Sequence, residues 1–438
     1  MLRTFVLVCL ALTVSCALLA QQPLNPSPAP LTVTLQDALN LARKNSSTYH
    51  AAITDAAVAH EDKVQARAAL LPGVSYSTQY LYTEGNGEHR NAPSFVANNF
   101  VHEYIAQGNG HENINLAGGL ISDYRRATAA EALAQARREI ANRGLVVTVV
   151  QNFYGLIVAQ RYYSNAQQAA AESEHFLNLS QKLENGGEVA HSDVVKAQIQ
   201  YNSTSRDLQE ASLAMEKARL DLSVLIFPTF NENFSAVDGL ELPEPLPGIE
   251  EARTMAARNN PELHAATAAL QLARHEAQSA WAAHFPTLTL DVWYGIDSPH
   301  FASSMDRVSN LGYSAAATLN VPIFNWGATQ SKVKQAELRK RQSEVELSAA
   351  QREAIANFRN FYAEAQTARA ELNSLRQSAE LASDSLRLTN LRYQAGEATA
   401  LEVVDAQNTL VQAKNAYDQG QSRYRIAVAT LQTLTGAF

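Results

Sequence analysis

Cysteine is nearly missing from this chain: its 438 residues hold two, Cys9 and Cys16, both within the first sixteen positions. No disulfide can therefore brace the rest of the molecule. Basic residues are also in deficit, with 35 Lys and Arg against 43 Asp and Glu and a formal charge of −8. That balance excludes nucleic acid as a partner, because phosphate binding needs clustered positive charge. Proline and glycine are sparse, at 14 and 19 residues, which argues against a disordered polymer.

Long apolar runs are missing too. Beyond the N-terminal segment no stretch reaches the roughly 18 apolar residues of a transmembrane helix. The nearest candidate, from 145 to 159, is broken by Thr148, Gln151 and Asn152. If the chain crosses a bilayer, it must do so as a β-barrel. Catalytic patterns fail one by one. His102-Glu103 has Ala106 where a zinc protease needs its second histidine. Gly73-Val74-Ser75-Tyr76-Ser77 lacks the final glycine of a hydrolase elbow. Gly108-Asn109-Gly110 belongs to no dinucleotide fingerprint, and the scattered histidines stop at His300. No enzyme activity, cofactor or metal site is expected.

The first residues carry Arg3, an apolar run from Phe5 to Leu19 and then small side chains. This reads as a secretory leader, 1–20, cut after Ala20. A lipoprotein reading would instead make Cys16 the acylated terminus, with Thr13 standing where an aliphatic residue is usual.

What is present is a duplication. Asn45, His50-Ala51-Ala52 and Pro72 match Asn259, His264-Ala265-Ala266 and Pro286, displaced by 214 positions. Gly119, Asn152 and Phe153-Tyr154 match Gly327, Asn360 and Phe361-Tyr362 at 208, and Gly187-Glu188 and Val194-Val195 match Gly396-Glu397 and Val403-Val404 at 209. The domains expected are a first repeat at 21–227, a proline-bearing linker at 228–248 and a second repeat at 249–438. No proline falls between Ser94 and Phe227 or after Pro322, so long helices are allowed there.

Helical order in those spans is explicit. Val403, Ala406, Leu410, Ala413, Tyr417, Gly420, Tyr424, Ala427, Leu431 and Leu434 recur in steps of three and four. The first copy repeats the seam in the same phase, from Val194 and Ala197 to Leu222 and Leu225. This is a coiled-coil seam. Between Gly119 and Gly187, or Gly327 and Gly396, a continuous helix spans roughly 100 Å. Gly186-Gly187 and Gly396 mark the hairpin tips.

Strand patterns precede each long helix. Val74, Tyr76, Thr78, Tyr80 and Tyr82 alternate with Ser75, Ser77 and Gln79; Leu288, Leu290, Val292 and Tyr294 alternate with Thr287, Thr289 and Asp291. Leu311, Tyr313, Ala315, Ala317, Leu319 and Val321 form a third stripe. Strands are expected at about 73–83, 101–116, 287–295 and 311–322, the second being the least regular. One apolar and one polar face, with Tyr and Trp around them, suits a lipid-facing wall with a wet lumen. Four strands cannot close a channel, so three copies would give about twelve.

The motifs carry a resemblance. Leu35-Gln36-Asp37-Ala38-Leu39-Asn40-Leu41-Ala42, Ala66-Arg67-Ala68-Ala69-Leu70-Leu71-Pro72, Val321-Pro322-Ile323-Phe324-Asn325-Trp326-Gly327 and Tyr393-Gln394-Ala395-Gly396 with Leu401-Glu402-Val403-Val404-Asp405 are similar, in order, to the TolC family of outer-membrane efflux proteins. The first return strand departs from the family, ending Asn115-Leu116-Ala117-Gly118-Gly119. The resemblance implies a mainly α protein with membrane β structure. It would be a homotrimer with one 12-stranded β-barrel in outer-membrane lipid above a periplasmic α-barrel of coiled-coil hairpins. The tips Gly186, Gly187, Asp193 and Gly396 would meet a periplasmic adaptor (membrane fusion) protein, which joins an inner-membrane RND or ABC pump. Glu402 and Asp405 would ring the periplasmic gate. Ala398 replaces a basic residue of that gate, and the first copy has Asp193 and Lys196 in the equivalent places. The function implied is a passive duct of tripartite efflux or type I secretion, carrying drugs, metals or proteins. The rival is a soluble periplasmic coiled-coil adaptor or scaffold, which accounts for the seams but not for the aromatic-flanked strands.

Overall fold

A computed structural model describes residues 31–82, 102–229, 233–240, 245–302, 304–305 and 308–436. The expected leader, Cys16 and parts of the linker at 228–248 lie outside these residues. In chain order the elements are β1 (Leu31–Val33), α1 (Leu35–Asn45), α2 (Ser47–Ala68), β2 (Gly73–Tyr82), β3 (His102–Asn115), α3 (Gly119–Asn185) and α4 (His191–Ile226). The second copy follows with β4 (Phe234–Ala236), α5 (Ile249–Asn259), α6 (Pro261–Ala282), β5 (Thr287–Ser298), β6 (Ser304–Met305), β7 (Val308–Ser309), β8 (Leu311–Asn320), α7 (Ala328–Gln394) and α8 (Ala400–Thr435).

The matching helices start by matching means. Ser46 caps α2 by accepting from the Tyr49 N–H, and Asn260 caps α6 by accepting from Glu262 and Leu263. α3 and α7 are each 67 residues long, a contour of about 100 Å. Each begins directly after a left-handed glycine, Gly118 (φ 72°) and Gly327 (φ 82°). This shifts the repeat register at the junction: Gly327 corresponds to Gly118 and not to Gly119. The displacement is then 209, the same as at the tips.

The chain forms two compact units. One draws on 46–148, 244–373 and 423–436. Its sheet is antiparallel, in the order β2-β3-β5-β8. The two hairpins are therefore not isolated: β3 and β5 pair from Tyr104↔Ser298 to Asn115↔Thr287 and join the copies. The helices that run into these strands keep the same order. Glu131 of α3 takes His60 at 2.7 Å and Lys63 at 2.9 Å from α2. Ser279 of α6 donates to Asp123 of α3 at 2.7 Å, and Arg339 of α7 meets Glu276 of α6 at 2.6 Å. Chain continuity explains the shared order, since α2, α3, α6 and α7 each adjoin their own strand.

The other unit draws on 31–45, 149–243 and 374–422. Here β1 and β4 pair in parallel, one from each copy. Both helical hairpins contribute to one core: Phe176, Leu177, Val194 and Ala197 from the first, Leu386, Tyr393, Val403, Ala406 and Leu410 from the second. The predicted seam thus faces inward in both copies. Arg161 of α3 bridges Asp238 in the linker at 2.7 Å and Asp418 of α8 at 2.9 Å. Burial works against its charge, but the two carboxylates outweigh that and hold its pKa above the ordinary arginine value.

Gly295 sits where the copies join, opposite Gln107. A Cβ there would collide with the backbone carbonyl of Ala106, a neighbour that cannot rotate away. Gly295→Ala should break the β3–β5 pairing locally and sharply reduce the yield of folded protein, read by heat-modified mobility on gels. Gly312, beside it in register with open space around its Cβ, should accept alanine with wild-type yield.

Candidate functional site: the sheet and the hairpin tips

Register sorts the sheet into two faces. Val74, Gly110, Val292 and Ala315 form one cross-strand row, and Tyr76, Gly108, Tyr294 and Tyr313 the next. Leu290, Ala317, Leu288, Leu319 and Ile114 continue that face towards the helices. It is broadly exposed: Val74 is 86 % and Tyr313 83 % accessible. An uncovered apolar face of this extent needs an apolar surrounding. The opposite face carries Ser75, Asn109, Trp293 and Ser314, then His111 with Asp291. Polar groups on it satisfy one another. His111 Nδ1 lies 2.7 Å from Asp291, His111 Nε2 lies 3.0 Å from Asn113, and Thr289 donates to Asn113 at 2.8 Å.

At the end of the sheet away from the helices, Tyr80 packs on Tyr104 at 5.0 Å and on His102 at 6.1 Å, and Phe301 meets Tyr104 at 6.2 Å. At the helix end Trp281 packs on Phe285 at 4.5 Å and Phe324 on Trp326 at 4.9 Å. Aromatic groups therefore bracket the apolar face, the arrangement of side chains that sit at the two water interfaces of a bilayer.

The tips are built by helix-end chemistry. Gly187 (φ 76°) and Gly396 (φ 74°) take the left-handed conformation that closes each long helix. Around Gly187, Glu188 N–H reaches the Leu183 carbonyl and Gly187 N–H the Glu184 carbonyl, both at 2.9 Å. Glu397 and Gly396 repeat the pattern onto Arg392 and Tyr393 at 2.8 and 3.1 Å. This is the Schellman closure, and Gly186 is the residue before its left-handed position.

The charged tip residues have unequal surroundings. Glu402 closes a capping box with Thr399: its carboxylate accepts from the Thr399 N–H and hydroxyl, both at 3.1 Å, and Thr399 Oγ1 accepts from the Glu402 N–H at 3.4 Å. Arg392 adds a contact at 3.3 Å. The Thr399 backbone bond, then its hydroxyl and then Arg392 hold the Glu402 pKa below its ordinary 4.5. Asp405, one turn further on, is exposed. In the first copy Asp193 pairs with Lys196 at 3.2 Å, and the helix begins at Ala190 with no side-chain cap. Ala398 packs against the shared core. Thr399 and Arg392 were not among the expected site residues. The Thr-x-x-Glu spacing signals the cap in the sequence, whereas the Arg392 contact, made across the turn, leaves no local pattern.

The chain belongs to the outer membrane efflux protein family, whose model matches residues 38–226 and 252–437. It is an outer-membrane protein with the TolC fold. It is 25 % identical over 426 residues to the alkaline protease secretion protein AprF of Pseudomonas aeruginosa, covering 92 % of this chain and 84 % of that one. It is 23 % identical over 414 residues to the outer membrane protein TolC of Escherichia coli, covering 90 % and 80 %. Among solved structures, the CmeC outer membrane channel of Campylobacter jejuni matches with a TM-score of 0.80 at 18 % identity, over 92 % of this chain and 85 % of that one. The open state of the MtrE channel of Neisseria gonorrhoeae gives 0.78 at 21 %, over 92 % and 88 %. The rival reading as a soluble adaptor or scaffold loses its ground, since the family is one of the outer membrane.

Thr399→Ala removes the hydroxyl's two bonds, to the Glu402 N–H and to its carboxylate, and leaves the backbone N–H of residue 399 donating to Glu402. A cap of this kind contributes about 1 kcal/mol, so amide exchange at the start of α8 should rise roughly fivefold while the first tip stays unchanged. Mass-spectrometric exchange on the two tip peptides reads the difference.

Proposed function

We propose that the chain is one protomer of a trimeric duct, three copies closing a barrel of about twelve strands. The observation that carries this is a four-stranded sheet with an exposed apolar face and two free edges, β2 and β8. Backbone groups on a free edge cannot be left unpaired in lipid. β8 of one copy on β2 of the next supplies the missing partners, and repeating that step closes a ring. Below it, α7 of one copy would meet α2 of the next, where Val58, Val64, Leu338 and Val345 are exposed.

The substrate enters from an inner-membrane RND or ABC pump through a periplasmic adaptor that docks near Gly186, Gly187, Asp193 and Gly396. Relatives include a protease secretion protein and the pyoverdine export outer membrane protein OpmQ of Pseudomonas aeruginosa. The cargo class is thus a secreted protein or a small exported molecule.

Glu402 and Asp405, three copies of each, give the entrance a negative constriction that favours cations. Planar-bilayer recordings of the full chain test the reading: a conducting trimer is expected, and a non-conducting, water-soluble monomer overturns it. Glu402→Ala with Asp405→Ala should lower cation selectivity, and unchanged selectivity removes the gate assignment. The pH dependence has a defined sign. A carboxylate held below its ordinary pKa keeps its charge as pH falls through that value and loses it only below. The Glu402 share of selectivity should therefore persist at pH 4.5, the ordinary glutamate value, and decay at more acid pH.

A further inference from the structure

One large ring stands on the side of the sheet that lipid does not reach. Register places Trp293 on the polar face, in the row Ser75, Asn109, Trp293 and Ser314, whereas Tyr294 beside it lies on the apolar face with Tyr76 and Tyr313. Among the described residues of β2, β3, β5 and β8, no other Trp, Tyr or Phe stands on the polar face. The indole is partly exposed, and among the described residues it makes no hydrogen bond and no ring contact. The wall next to it is bare. Towards β8 its neighbours are Gly312, Ser314 and Ala316, and Gly295 follows it along β5. A Cβ at Gly312 would meet open space. A shallow recess thus lies beside the ring.

Charge on that face has one dominant sign. The four strands contain no lysine or arginine. Asp291 lies one row from Trp293 towards the helices, Asp297 two rows the other way, and Glu103 just beyond. His111, 2.7 Å from Asp291, is the one basic side chain among the described residues of this face. The first copy has Gln79 where the second has Trp293, so a trimer would hold three such indoles and not six. Eight strands enclose a space that their own side chains fill, and about twelve enclose a wider one. In the proposed duct the indole would therefore border water instead of an opposite wall, leaving apolar area uncovered.

We propose that Trp293 is a binding point on the inner wall of the duct for planar aromatic cations. The face of an indole attracts a cation within about 6 Å of its centroid, and flat rings add offset stacking. Asp291 and Asp297 supply a negative field on both sides of the ring along β5. Gly295, Gly312 and Ala316 leave room for a flat molecule to lie alongside. An anion of the same shape gains the stacking but is repelled by the carboxylates. This inference rests on the duct reading, since only a lumen brings cargo to this face.

The test uses the full chain in vesicles with Trp281→Phe and Trp326→Phe, so that Trp293 alone of the three tryptophans emits. N-methylacridinium is the probe and acridine-9-carboxylate its anionic counterpart. The cation should quench Trp293 saturably, at a concentration roughly fivefold or more below that of the anion. Equal quenching by both, or quenching by neither, overturns the proposal. In single-channel recordings N-methylacridinium should interrupt the potassium current. Trp293→Leu keeps apolar bulk and loses the ring, so it should shorten the interruptions about fivefold, the equivalent of roughly 1 kcal/mol for a cation over an indole, at unchanged potassium conductance. Trp293→Phe should retain most of their length. Interruptions of wild-type length in Trp293→Leu would make the contact one of bulk alone and sink the idea. A chain that carries no potassium current fails as a duct and takes the site with it. A chain that conducts yet is blocked equally by the two probes loses the site alone.

Discussion

The sheet's two free edges are the constraint from which the architecture follows. β2 and β8 each hold a row of backbone donors and acceptors with no strand partner among the described residues. In water such a row is a hazard managed by charge or by cover. Here the rows flank an apolar face, where water is not available to satisfy them. Duplication alone does not solve the problem: pairing β3 with β5 removes two edges and leaves two. In the proposed trimer further copies would remove the last pair, and because the helices keep the strand order, closing the sheet would also bring α7 to α2. The helical layer need not find its neighbours independently.

The duplication supplies a symmetric frame, but the polar contacts on it are not symmetric. Arg161 clamps Asp238 and Asp418, whereas the positions 209 residues away are Ala370 for the arginine and Gln209 for the aspartate. Conversely Arg423 spans Glu364 at 2.6 Å and Glu371 at 2.8 Å between α7 and α8, and its first-copy counterpart is Ala214. The seam residues are shared because both copies must bury the same stripe. The ion pairs are not, because each polar contact sees only its own neighbour. An arginine whose charge is partly buried beside two carboxylates is costly to leave unpaired, so Arg161 ties the linker to the second hairpin, and the corresponding position on that hairpin's own long helix is Ala370.

Much of this was legible in the sequence, for a physical reason. Heptad and two-residue periods record which side chains are buried, and burial leaves a periodic trace. The long helices, the seam and three strands carry that trace. β3 carries it poorly because Gly108, Gly110 and Glu112 stand on its apolar face. Tyr76 and Tyr294 flank Gly108, and Val74 and Val292 flank Gly110, so neighbouring strands supply the bulk that β3 omits. Partners in space leave no period at all. The joining of the hairpins through β3 and β5, the Arg392 contact and the left-handed Trp326 all needed coordinates. The register slip at Gly119 had a different cause: adjacent glycines look equivalent in sequence, and only the positive φ of Gly118 tells them apart.

The tip chemistry refines what an acidic entrance can mean. Glu402 is engaged twice, by Thr399 as a cap and by Arg392 as a counter-ion, so part of its field is already neutralised within the protomer. In the proposed entrance a passing cation would compete with Arg392 for it. Asp405 lies exposed one turn along α8 with no ion pair among the described residues, while Asp193 of the first copy is matched by Lys196. The two carboxylates of the second tip are therefore unequal. Glu402 orders the turn and holds its shape, and in the proposed duct Asp405 would present the freer charge. A ring built in this way keeps its geometry when its charge is screened, because the cap is a set of short hydrogen bonds and not a long-range field. On that argument salt would weaken the proposed selectivity before it loosened the tip.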